Sequence, residues 1–147
     1  MGLTSDLQIK KHSGKPRWTL FIPLDPVPAS RPRFARSGRV YYGKRYTAFR
    51  KEADALFKLT EFPIEFPLSG PLAVSSKFIV KPPKKTKRYS PRGDVDNYFK
   101  TLDVLNGIVW WDDDQLVWAC MGKAFGDDPG IESVSYTHLT LPTILLV

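Results

Sequence analysis

Short blocks of apolar residues, cut apart by proline and glycine, run along this chain and predict a few strands and two helices. Arg17 to Pro23, RWTLFIP, has the aromatic and β-branched content of a strand, and Pro23 closes it. Thr47 to Leu59, TAFRKEADALFKL, places Phe49, Ala53, Leu56 and Phe57 near helical spacing, with Thr47 as its N-cap. A connector broken by Pro63, Pro67, Gly70 and Pro71 leads to Leu72–Val80, LAVSSKFIV, a strand by its alternation. Asp94 to Asn97 turn into a helix capped by Asp96 or Asn97, which propagates from Tyr98 to Leu105 and stops at Asn106-Gly107. Gln115 to Phe125 is the next strand, and another begins at Ile131 after the turn from Gly126 to Gly130. Residues 1–16 are polar, basic and without a period, so they are expected to be a loose leader in which His12 is solvated. The expectation is a single α/β domain over residues 17–133, a mixed sheet with two helices on one face.

Composition narrows the partners. The chain has 147 residues, 22 Lys and Arg against 15 Asp and Glu, and a net charge of +7, a balance that favours a polyanion. The lone Cys120 excludes an internal disulfide framework and fits a reducing compartment. Neither a long apolar run nor a signal-type leader is present, so the expected location is the cytoplasm and no membrane partner is expected.

The charges are sorted along the chain. Asp94, Asp96, Asp103 and the triplet Asp112, Asp113 and Asp114 crowd one short stretch, where like charges raise one another's pKa unless a cation offsets them. Asp94 and Asp96 leave an extended backbone on the same face and can share a metal. Within the triplet, alternation pairs Asp112 with Asp114 or Asp113 with Gln115, and spacing alone does not choose. Oxygen-only ligands suit Mg²⁺, with Mn²⁺ as the alternative, one or two ions per site and no small-molecule cofactor. An EF-hand is excluded, because its required Gly and Glu positions are Phe99 and Leu105. Lys100, four residues after Asp96, is placed to meet a phosphate oxygen. Directly upstream, Lys84, Lys85, Lys87, Arg88 and Arg92 stand in a proline-broken loop without an acid. A second basic stretch interleaves Arg31, Arg33 and Arg36 with Phe34, Tyr41, Tyr42 and Tyr46, the combination used for phosphate contact and base stacking. A basic approach to an acidic centre reads as a metal-dependent enzyme acting on nucleic acid. The alternatives are a non-catalytic structure-specific DNA-binding module and a metal nuclease for flaps or single strands.

The series VPxxRPRF, GDVDNYFK, LNGIVWWDDDQ and GDDPGIE, from about Arg17 to Glu132, resembles the RusA family of Holliday-junction resolvases. That resemblance implies a Mg²⁺-dependent homodimeric endonuclease of bacteria and phages that resolves four-way DNA junctions by paired nicks. It assigns Asp94 and Asp96 to the two carboxylates of D-x-D-N, Lys100 to its lysine, Asp113 to the essential aspartate of D-D-x-Q, and Asp112 to the accompanying acid. The sequence departs from the family in having two residues, not three, between Lys100 and Asp103, which on an α-helix rotates Asp103 and Leu105 by about 100°. Residues 134–143, VSYTHLTLPT, resemble a translated transposon-type sequencing adapter. Residues 134–147 are therefore expected to be a non-native tail in which His138 carries no meaning, with the strand begun at Ile131 cut short.

Overall fold

The computed structural model describes residues 6–137. Its main sheet is built from β1 (Gln8–Lys11), β2 (Arg17–Ile22), β5 (Leu72–Val80), β6 (Leu116–Phe125) and β7 (Gly130–Tyr136), in the spatial order β1-β2-β7-β5-β6. Only the β5–β6 pair is parallel, so the sheet is mixed. A small hairpin, β3 (Arg33–Phe34) with β4 (Val40–Tyr41), stands apart from it. Helix α1 runs Lys44–Lys58, and α2, Val95–Phe99, continues directly as a 3₁₀ helix, Lys100–Leu105.

Alternation in the strands makes one face of the sheet the core. Trp18, Leu20 and Ile22 of β2, Leu72, Val74 and Phe78 of β5 and Ile131 of β7 pack in one cluster with Tyr46, Phe49, Ala53 and Phe57 of α1. Leu102 and Leu105 of the 3₁₀ helix and Trp110 complete it. Both helices therefore cover the same layer, as the apolar spacing predicts. At the sheet centre the Ser76 and Ser133 hydroxyls satisfy each other at 3.1 Å. That pairing removes the cost of two buried polar groups.

The structure corrects several expectations. The leader is not loose throughout, because Gln8–Lys11 pairs antiparallel with β2 as an edge strand. His12 is hydrogen-bonded to the Thr19 hydroxyl at 2.7 Å and to Arg17 at 3.0 Å. Helix α1 starts earlier than predicted, its N-cap being Gly43, whose N–H donates to the Ser30 hydroxyl. The N-cap position of α2 is Asp94, not Asp96 or Asn97, and its side chain makes no capping hydrogen bond.

The strand begun at Ile131 is not cut short. It runs to Tyr136 between β2 and β5, with Val134 opposite Thr19 and Ser75, and Tyr136 opposite Arg17 and Ala73. A ladder is made by backbone groups, and the alternation Val-Ser-Tyr suits it whatever its origin. His138 and the rest of the expected tail lie outside the described residues.

The shortened spacing after Lys100 has a geometric resolution. Three residues wound as 3₁₀ helix advance about 6 Å and close about one turn, as four α-helical residues nearly do. Asp103 therefore stays on the face that follows Lys100, and Leu105 is fully buried rather than rotated out. Gly107, at φ 79°, ends the segment in a left-handed conformation.

Candidate active site

Three anchors hold the approach to Asp94. The Tyr98 hydroxyl, on a side chain turned inward, donates to the Arg92 carbonyl at 2.6 Å. The Lys123 ammonium, reaching from β6, donates to the carbonyls of Pro91 and Gly93. Ala29 N–H donates to the Asn97 carbonyl at 2.8 Å. Gly93 takes φ 97°, and a Cβ there would meet Pro28 Cγ at 3.1 Å, so the chain before Asp94 needs glycine. Asp94 and Asp96 are exposed at the start of α2, and Lys100 lies 3.9 Å from Asp96 and 3.5 Å from the Asn97 side-chain oxygen. The sequence pattern that set Asp96 and Lys100 one turn apart is realised.

The acidic turn before β6 is organised by Gln115. Its Oε1 accepts from the N–H groups of Trp111 at 2.8 Å and Asp112 at 3.0 Å. Its Nε2 donates to the carbonyls of Leu68 and Gly70, each at 2.9 Å. The Asp112 carboxylate accepts from Asp114 N–H, which with Gln115 makes a capping box. That backbone N–H, with the hydrogen bond from Asp113, holds Asp112 below the usual carboxylate range. Asp113 is pushed the other way, first by the hydrogen bond it shares with Asp112, then by partial burial and by the charges of Asp112 and Asp103. The two carboxyls therefore titrate as a coupled pair, Asp113 on the higher side.

Behind this turn, Asp103 connects the acids to α1. Its Oδ2 takes the Arg50 guanidinium at 3.1 Å, and Arg50 also donates to the Tyr46 hydroxyl at 3.2 Å. The other oxygen, Oδ1, is buried and has no hydrogen-bond partner among the described residues. An orphaned carboxylate oxygen and a carboxyl held above its usual range are both signs of negative charge not fully offset. The donors are carboxylates throughout, which fits Mg²⁺ in its usual mode of one or two carboxylates completed by water and phosphate oxygens. Among the described residues, however, no three such side chains converge on one point. Asp94 and Asp96 on α2, and Asp112 and Asp113 on the turn, stand as two pairs of acids.

The basic loop leads into the first pair through a cleft of about 560 Å³. Arg45, Lys81, Lys85, Lys87, Arg88 and Arg92 line it, with Asp25 as the one acid, and it closes on Gly93 beside Asp94. Lys84 is exposed on the same loop outside that lining, while Arg31, Arg33 and Arg36 are exposed on the proline-rich segment and its hairpin. The loop carries order of its own, Arg88 donating to the Ser90 carbonyl and Lys81 N–H to Asp25. Sequence reasoning missed Arg45, although two cations and no acid open α1, the reverse of what the helix dipole prefers. It also missed the structural roles of Tyr98, Lys123 and Asp103.

A family model described as Endodeoxyribonuclease RusA matches residues 23–133, a span that contains every one of these groups. The chain belongs to the RusA endodeoxyribonuclease family. It is also similar to an uncharacterized protein, YqaN, of Bacillus subtilis (strain 168), at 28% identity over 124 residues, covering 74% of this chain and 87% of that protein. RusA membership makes this a nuclease of the kind that resolves Holliday junctions, on a mixed sheet with its helices on one face. Among the described residues no helix is long and apolar enough to cross a membrane.

Proposed function

We propose that this chain is a Mg²⁺-dependent endonuclease that binds four-way DNA junctions and resolves them by paired nicks, working as a homodimer in the cytoplasm of a bacterial or phage-infected cell. The observation that carries the reading is a six-cation cleft that reaches Gly93, the residue before Asp94, in a chain whose RusA match spans both. Asp94, Asp96 and Asp113, with Asp112 beside it, are the residues that would hold the ion. A bound Mg²⁺ supplies activation of water and neutralisation of charge at the scissile phosphate. Lys100, exposed one turn beyond Asp96, meets a phosphate oxygen, and the cleft cations neutralise the flanking backbone. Gln115 and Tyr98 touch neither water nor DNA in this reading. They fix the two backbone segments that carry the acids.

A second reading, a junction-binding module without catalysis, draws on the separation of the two acid pairs. One experiment decides between them. Purified protein is incubated with a four-way junction and with the matching linear duplex, in Mg²⁺ and in EDTA. Symmetric nicks in the junction alone, only with Mg²⁺, are expected. Tight junction binding without nicks in any divalent ion establishes the module.

A further inference from the structure

The β3–β4 hairpin stands clear of the core and carries charge of one sign. Arg31, Arg33, Arg36 and Arg39 fall in or beside it, and no Asp or Glu occurs between Asp25 and Glu52. Among the described residues none of these four arginines is in an ion pair. Phe34 and Val40 stand opposite each other in the ladder and so share a face, at 75% and 49% exposed. Tyr42, by contrast, rests in a T-shaped contact on buried Tyr46, with ring centroids 5.4 Å apart. The hairpin is nevertheless held in place. Ala35 N–H donates to the Arg39 carbonyl at 2.8 Å and Gly38 N–H, at φ 81°, to the Ala35 carbonyl at 2.9 Å. Gly43 N–H closes the stem on the Ser30 hydroxyl at 3.0 Å. One residue before Ser30, Ala29 N–H donates to the carbonyl of Asn97, the residue after Asp96. The stem is thereby tied to the short helix that begins at Asp94.

We propose that this hairpin is a wedge for branched DNA, with Phe34 entering between the base pairs that flank the branch point while Arg33, Arg36 and Arg39 hold the phosphates around it. An apolar ring kept in solvent and surrounded by arginines matches the device by which proteins part stacked bases. A two-stranded ribbon is also narrow enough to enter a groove. In a continuous duplex the ring must break a stack, whereas at a branch point the stack is already interrupted and a base face is open. Phe34 therefore favours branched over linear DNA. The arginines alone do not, because phosphates are common to both. A second copy of the chain is a poor occupant, since the same cations would face one another across it. The hydrogen bond from Ala29 to Asn97 ties the wedge to Asp94 and Asp96, so the nick falls at a set offset from the branch. The inference rests on the junction-cutting reading for its substrate and names the residue that distinguishes that substrate from duplex.

The test is made first in EDTA, so that no cleavage intervenes, on a four-way junction and a matching linear duplex that carry 2-aminopurine at the base pair next to the branch. Binding of the full chain should raise the 2-aminopurine fluorescence of the junction and leave that of the duplex unchanged. Phe34→Ala should abolish the rise and lower the ratio of junction to duplex affinity by about fivefold or more, the scale of one lost base–aromatic stack. Its duplex affinity should stay at the parent value, because the arginines remain. Phe34→Met, an apolar wedge of another shape, should recover most of the rise and of the ratio. Both variants should melt with the parent, because Phe34 is exposed. An alanine variant that keeps the ratio and the rise, or that weakens both DNAs equally, overturns the proposal. So does an alanine variant of changed mass in light scattering, which makes Phe34 a contact between copies. With Mg²⁺ restored, a parent that gives the rise but no nicks leaves the wedge standing and removes the endonuclease reading. A parent that nicks the junction without the rise overturns the wedge alone.

Discussion

At the scale of single residues, the candidate site divides into groups that face solvent and groups that hold them. Asp94→Asn, Asp96→Asn and Asp113→Asn are each expected to lower junction cleavage by about a hundredfold or more, the scale of losing an electrostatic catalytic group. Junction affinity in EDTA should be equal or tighter, because a negative charge facing phosphate is removed. Full turnover by any one of them in a timed gel assay excludes that residue from the site. Asp113 holds a cation only when ionised, and its interaction with Asp112, with partial burial, raises its ionisation above the usual carboxylate range. Cleavage at limiting Mg²⁺ should therefore rise with pH through this ionisation. Asp112→Asn, which withdraws the largest cause, should move the midpoint down. A midpoint that stays in place shows that Asp113 is not the titrating group.

The acids were legible as residues because clustered charge is visible in one dimension. Gln115 was legible only as a motif letter. What it does, tying Trp111 and Asp112 to the carbonyls of Leu68 and Gly70, spans 45 residues of sequence and leaves no periodic trace. Gln115→Leu leaves four backbone partners to solvent and should cost about 1–3 kcal/mol. Cleavage should fall further than the melting point predicts. An unchanged melt shows that water replaces the staple.

At the scale of elements, the basic loop is the part whose role is easiest to isolate. Replacing Lys85, Lys87 and Arg88 by Gln should weaken binding to junction and duplex alike. It should also flatten the slope of log affinity against log salt by roughly 0.9 for each phosphate no longer neutralised. Fluorescence anisotropy over a salt series measures both quantities, and an unchanged slope makes the loop a bystander. The strands β2, β5 and β6 lie within a residue or so of their predicted bounds because alternation and flanking prolines mark them directly. β1 was not legible. QIKK has neither burial nor a period to announce it, and it is a strand only because β2 presents an edge. The 3₁₀ winding of Lys100–Leu105 was also hidden, since no residue there forbids an α-helix. The core decides it, by requiring Leu102 and Leu105 to face inward while Asp103 reaches Arg50.

At the scale of the whole molecule, the decisive element is the strand that the sequence pattern marks as incomplete. β7 occupies the middle of the five-stranded order, paired on both sides, and its last residues fall in the adapter-like stretch. An origin in a sequencing adapter and a place in the sheet are compatible, because the neighbours β2 and β5 demand backbone partners more than particular side chains. Tyr136 is 9% exposed, and a buried tyrosine hides roughly 150 Å² or more, worth about 4 kcal/mol at about 25 cal/mol per Å². The ladder partners of Val134, Ser135 and Tyr136 on two strands would lose their hydrogen bonds as well. Truncation after Ser133 is therefore expected to remove most of the stability of a domain of this size, which on general grounds is about 5–15 kcal/mol. Truncation after Thr137 keeps the whole of β7 and should melt close to the parent. Thermal melts of the two truncations beside the full chain make the comparison. If the shorter form melts as high as the longer one, Val134–Tyr136 contribute nothing, and the sheet is complete with a β7 that ends at Ser133.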